Sequence, residues 1–167
     1  MIGKFIQDWV DNVQRDVTAP IIEHYGITYL DPDGWYPLDI VVDLFADFRQ
    51  REGGSMALVA MGKASAEPVQ NMFQFRSIED YLERCGEPFR AAIRNIPDEY
   101  GLLVEYRGDT VCEITNNSIV PNEMIYGYIW EMCSLITGDG GSFTLAPISG
   151  YTPGGTERAV FELEWHQ

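Results

Sequence analysis

The spacing of apolar residues changes at Pro97, and that change sets the architecture. Before it, Leu38, Val41, Val42, Phe45 and Phe48 recur at intervals of three and four, the period of a helix with one inward face. After it, Ala159, Phe161, Leu163 and Trp165 alternate with Glu162 and Glu164, the period of a strand with one wet face. A chain that carries both periods is expected to pack helices against a sheet.

The helical half divides at its turn residues. Ile2, Phe5, Ile6, Trp9, Val10 and Val13 give a first amphipathic helix that stops before Ala19-Pro20. "HYGITYLDPDGWYP" is rich in Gly, Pro and Asp and reads as a loop. Pro37 opens a second helix through about Gln50, and Gly53-Gly54 is expected to end it in a left-handed cap. Ser55 is expected to cap a third helix, Met56 to about Phe73, disturbed at Pro68. Ser77-Ile78-Glu79-Asp80 resembles a capping box and starts a fourth, with Ile78, Tyr81, Leu82 and Cys85 on one side. Beyond Gly86 and Pro88 a further helical piece runs to Asn95.

In the second half, "LLVEY" and "VCEIT" are strand-like, joined by Arg107-Gly108-Asp109 as a tight hairpin. Pro121 opens a last helix with Met124, Ile125, Tyr128, Ile129, Met132 and Cys133 on one face, ended by Gly138. Phe143 and Leu145 mark a third strand before the alternating fourth. The reading is an α+β fold in which N-terminal helices pack on a small, mostly antiparallel four-stranded sheet with a crossing helix, β-β-α-β-β. At 167 residues it is expected to be one domain, with a helical part over about 1–97 and a sheet part over about 98–167.

Charge narrows the partners. The net charge is −15, and beyond Arg107 the one basic side chain is Arg158, against eight acidic ones. Such a surface repels phosphate, so neither nucleic acid nor an anionic membrane is an expected partner, and no apolar run is long enough for membrane insertion. Charges at Lys4 and Asp8 argue against a secretory signal. Cys85, Cys112 and Cys133 are an odd count with no close pair, which argues for a reducing, cytoplasmic setting.

Catalytic patterns are not evident. His24 falls in a loop and His166 is the penultimate residue, so neither sits beside an obvious nucleophile. "GDGG" and "TPGGT" lack the Lys-Ser/Thr of a phosphate loop and read as turns. The three cysteines fall at apolar helix or strand positions, the usual place of a small buried hydrophobe rather than a metal ligand. The expectation is a protein that is not an enzyme.

The element order, with "GWYPLDIVVDLF", "LVAMGKASAE" and "IPDEYGLLVEY", resembles the 4-vinyl reductase domains from roughly Trp35 to Trp165. These are related to the haem-nitric oxide binding domains and to small subunits of the vesicle-tethering transport protein particle. Many 4-vinyl reductase domains carry Glu-x-x-Cys-x-x-x-Gly-x-x-x-Cys after the hairpin, and some bind zinc there. In this chain the same spacing reads Glu131-x-x-Ser134-x-x-x-Gly138-x-x-x-Ser142, with both thiols replaced by hydroxyls. Cys133 is one residue out of register, about 100° around the helix. The resemblance therefore implies the family's joint without its metal. The haem branch hangs iron from a His before the hairpin, a region that holds Cys85 here. The nearest match to its Tyr-x-Ser-x-Arg clamp is Tyr106-Arg107-Gly108-Asp109-Thr110, which lacks the Ser and the final Arg. No metal and no resident cofactor are expected; haem held by a Cys85 thiolate, as sensor or tetrapyrrole-related enzyme, is a further alternative.

The resemblance also implies an apolar hollow between helices and sheet. Trp35, Tyr36, Phe73, Phe75, Tyr126 and Trp130 are the ring residues chosen to line it, because Trp and Tyr combine an apolar body with a polar handle. The function expected is a non-catalytic sensory or binding domain for a small hydrophobic or aromatic ligand, acting through a protein partner and pairing as a homodimer. The alternative is a structural adaptor of the vesicle-tethering kind, docking by an exposed apolar face on the first helix.

Overall fold

The computed structural model describes residues 1–4, 6, 7, 20, 22–152 and 157–166. The elements are α1 (Asp39–Gln50), α2 (Gly54–Phe73), α3 (Ile78–Arg84), α4 (Glu87–Ala92), β1 (Gly101–Tyr106), β2 (Val111–Asn117), α5 (Asn122–Thr137), a 3-10 turn (Gly138–Gly140), β3 (Ser142–Ser149) and β4 (Val160–His166). Phe5, Trp9, Val10 and Val13 lie outside the described residues; of the apolar face expected on the first helix, Ile2 and Ile6 are described, and Ile6 is buried.

The helix boundaries follow local chemistry, with four corrections. Gly53 does take a left-handed φ of 74°, but as the N-cap of α2 rather than the end of α1, whose C-cap is Arg51. Ser55 is inside the first turn of α2, and its hydroxyl lies 3.4 Å from Glu123 Oε1 on α5. Pro68 does not break α2, which continues to Phe73. Further on, α4 ends at Ala92 rather than Asn95. The capping box is present in modified form. Ser77 Oγ accepts from the Asp80 N–H (3.2 Å), while Asp80 Oδ2 accepts from the Arg76 N–H (2.9 Å).

All three strand pairings are antiparallel, in the order β1-β2-β4-β3. The inner face presents Cys112, Ile114, Phe161, Leu163 and Trp165, all buried. Across it runs α5, buried on most of its circumference, with α2 stacked on top. Glycines allow the two helices to touch. A Cβ on Gly127 would collide with the Val59 carbonyl, and one on Gly62 with the Met124 carbonyl. On the wet face, Glu105, Glu113 and Glu162 fall in one register row. Arg107 relieves the first two by ion pairs of 2.7 Å to each.

The start of β4 and the start of α5 are joined by a buried amide pair. Asn116 Nδ2 donates to the Val120 carbonyl and to Asn122 Oδ1, both at 2.8 Å, and Asn122 Nδ2 donates to the Glu157 carbonyl at 2.7 Å. Both amides are buried, which explains the saturation of their bonds.

Candidate functional site

A cavity of about 70 Å³ opens where four segments converge. Met1 closes one side. Ser65 and Val69 come from α2, and Pro88, Phe89, Ala92 and Ile93 from α4 and its end. Val120, Met124, Ile125 and Tyr128 come from the entry and first turns of α5. No polar atom contributes to its surface. Local chemistry sets these positions. Pro88 occupies the first turn of α4, where its missing N–H costs nothing. Residues Met124 and Tyr128 are four apart and so share a face of α5. The small side chains of Ser65 and Ala92 leave the space that larger neighbours would fill. Main-chain bonds hold Met1 in place: its amino group donates to the Tyr36 carbonyl (2.7 Å), and its carbonyl accepts from the Tyr36 N–H (2.9 Å).

Beyond the Tyr128 ring lies a second buried group. Tyr81 and Tyr128 meet edge to face at 6.3 Å, and among the described residues neither hydroxyl has a hydrogen-bond partner. Burial pushes both phenols well above their ordinary pKa, with a smaller contribution from nearby thiols. The thiols respond likewise: burial raises Cys85 to about 11 and Cys112 and Cys133 to about 12. Cys85 Sγ sits 3.6 Å from the Leu102 carbonyl, to which it donates. The native protein is therefore expected to resist a bulky disulfide reagent at neutral pH, with all three thiols reacting after unfolding. Rapid labelling of the native state would contradict this packing. The raised values also fix a sign. Their contribution to stability is fully present below the thiols' ordinary pKa of about 9 and is lost as pH rises through about 11 and 12.

None of the six ring residues chosen from sequence lines the cavity. Trp35 is stacked under Arg94, whose guanidinium carbon lies 3.5 Å from the ring centre. Tyr36 uses its hydroxyl to accept from the Asp31 N–H (2.7 Å). Phe73 and Phe75 stack on each other at 5.8 Å, and Phe75 meets Tyr81 at 5.4 Å. Tyr126 packs with Tyr151 and Phe161, both at 6.1 Å. Trp130 meets Phe143 at 5.8 Å on one side and the Lys63 ammonium at 3.7 Å on the other. The rings are thus spread over separate patches. The residues that do line the cavity, Val69, Phe89, Ala92, Ile93 and Ile125 among them, carry no such signal; at most, the apolar face of the last helix pointed to Met124, Ile125 and Tyr128.

Ser134 Oγ donates to the Trp130 carbonyl at 3.0 Å, and Ser142 is the exposed first residue of β3. No hydrogen bond joins either to Glu131, and among the described residues no group of three His, Cys, Asp or Glu side chains is placed to hold a metal. Haem does not fit either. Binding sites for molecules of its class run to about 300–1,000 Å³, against about 70 Å³ here. Cys85, the iron ligand that the resemblance offers, does not line the cavity; its Sγ is buried and donates to the Leu102 carbonyl. Both histidines are exposed: His24 ends a helical segment rather than lying in the loop expected there, and His166 is at the end of β4, 3.6 Å from Glu164.

No family model and no curated protein matches the sequence. Solved structures match the shape. A Cs H-NOX carrying 4-cyano-L-phenylalanine superposes with a TM-score of 0.70 at 14% identity, over 100% of this chain and 97% of that one. A single-residue mutant of the T. Tengcongensis H-NOX gives 0.69 at 14% identity, over 99% and 95%. An Fe(II) unliganded H-NOX mutant from K. algicida gives 0.69 at 10% identity, over 100% and 97%. In helix order, crossing helix and four-stranded sheet, this chain has the fold of the H-NOX domains.

Proposed function

We propose that this chain is a non-catalytic sensory domain on the H-NOX fold that takes a small apolar molecule, and not haem, into the cavity between α2, α4 and α5. The observation that carries the reading is the hydrocarbon lining of a space of about 70 Å³. That volume is roughly half of the ~150 Å³ apolar cavity known to stay dry and bind benzene or xenon. It suits xenon, a diatomic gas or a very short hydrocarbon, and gives a polar ligand no hydrogen bond. No acid, base or nucleophile faces the space, which supports binding rather than turnover. The cavity borders the end of α4 and the first turns of α5. A ligand somewhat larger than the space would push those elements apart and pass the change to the sheet. Among the described residues no helix is long and apolar enough to cross a membrane.

Xenon is the direct probe. Titration followed by methyl NMR should show one saturable site, with shifts centred on Val69, Ala92, Ile93 and Met124. Ala92→Leu, which fills the space with hydrocarbon, should abolish those shifts while the protein stays folded. Absence of a saturable site in the unaltered protein would overturn the reading, as would uptake that Ala92→Leu leaves unchanged.

A further inference from the structure

The two edges of the sheet differ in a way that the cavity does not explain. Strand β1 is guarded by Glu105 within it and Arg107 just beyond it. Strand β3, "SFTLAPIS", has eight residues and no charge, in a chain of net charge −15. Charged side chains are a common device for blunting an edge strand. Among the described residues nothing pairs with the outer side of β3. Its Ser142, Thr144, Ala146 and Ile148 are exposed, while Phe143 is fixed inward against Trp130. The strand is therefore an exposed, uncharged row of main-chain donors and acceptors.

We propose that β3 pairs antiparallel with β3 of a second copy, making a two-fold dimer with one continuous eight-stranded sheet. Symmetry admits a second copy as the occupant while holding the acidic surfaces off the contact. Most contacts between two such molecules oppose acidic surfaces, whereas a two-fold axis through β3 sets an uncharged strip against itself. Register selects the centre. Pro147 lacks an N–H, and the pairing with β4 shifts between Pro147 and Ser149, so regular pairing is confined to the stretch from Ser142 to Ala146. An axis at its midpoint sets Thr144 against Thr144 of the partner subunit, and Ser142 against Ala146 of the partner subunit. These are small residues, and Thr–Thr pairs favour strand contact. Each copy has one such edge, so the assembly closes at two.

Sedimentation across protein concentration tests this. A monomer–dimer equilibrium is expected, and it should tighten as salt is raised, because salt screens the repulsion between two acidic molecules. Thr144→Lys is the informative variant. Within one chain the lysine faces Glu164 of β4 and keeps the fold; across the axis it meets its own copy. Dimerisation should weaken by about tenfold or more. Mixing Thr144→Lys with Thr144→Glu should restore a mixed dimer. Ala146→Lys, opposite Glu162, is a second variant with the same expectation should the first fold poorly. A protein that stays monomeric at high concentration and high salt overturns the proposal, as does a dimer that neither lysine variant weakens.

Discussion

Replacing Gly127 with alanine is expected to cost about 3 kcal/mol and lower the thermal midpoint by about 6–12 °C. In most helices the exchange is mildly stabilising, since glycine is the poorer helix former. Here the sign reverses because α2 and α5 meet backbone to backbone. The added methyl group would collide with the Val59 carbonyl on α2, and neither main chain can rotate away as a side chain could. Gly62→Ala should do similar harm from the other side, against the Met124 carbonyl. The two substitutions strain one crossing, so the double variant should lose less than the sum of the singles. Thermal unfolding of the three variants checks this; midpoints within about 2 °C of the parent would mean that the helices are not in contact there.

Asn122→Ala is expected to cost about 3 kcal/mol, although it removes a side chain of modest size. The amide meets three groups from two other segments. It accepts from Asn116 Nδ2 at the end of β2 and donates to the Glu157 carbonyl before β4. Its Oδ1 also lies 3.4 Å from the Ala159 N–H. Truncation leaves that N–H and the Glu157 carbonyl without the amide's bonds, in a setting where Asn122 and Asn116 are nearly inaccessible to water. Urea denaturation should show a lower midpoint with an unchanged slope. Hydrogen exchange should accelerate most at the Ala159 amide. A variant as stable as the parent would show that the pair is dispensable.

The elements were legible where one period ran unopposed. Ala159, Phe161, Leu163 and Trp165 alternate in sequence and are buried together, and the α+β class follows from that and the helical spacing before Pro97. Turn chemistry was less decisive. Gly53 has the left-handed conformation expected of it but serves the following helix, because a glycine with positive φ can join two helices as readily as end one. Pro68 read as a disturbance, yet it removes one donor from a helix of 20 residues whose packing on α5 outweighs that loss. The cavity lies among α2, α4 and α5, with no strand residue in its lining, rather than between helices and sheet, and the rings expected to line it are elsewhere. Ring content says how much aromatic surface exists, not where it goes. Each of Trp35, Phe75, Tyr126 and Trp130 is used by a local neighbour. A cavity forms where segments distant in sequence fail to fill a shared volume, and no local pattern records that failure.

The strand order has a consequence for how the molecule is assembled as it is made. β3 leaves the ribosome before β4, but it shares no border with the β1–β2 hairpin until β4 slides between them. Until then the hairpin and β3 are separate fragments, each with an open flank, and α5 has no finished floor to lie on. The partner of β2 is about fifty residues downstream, so closure is a distant and late contact. A nascent chain halted short of Val160 would therefore hold its helices and hairpin but no sheet of four, and would depend on chaperones to keep those flanks from meeting other chains.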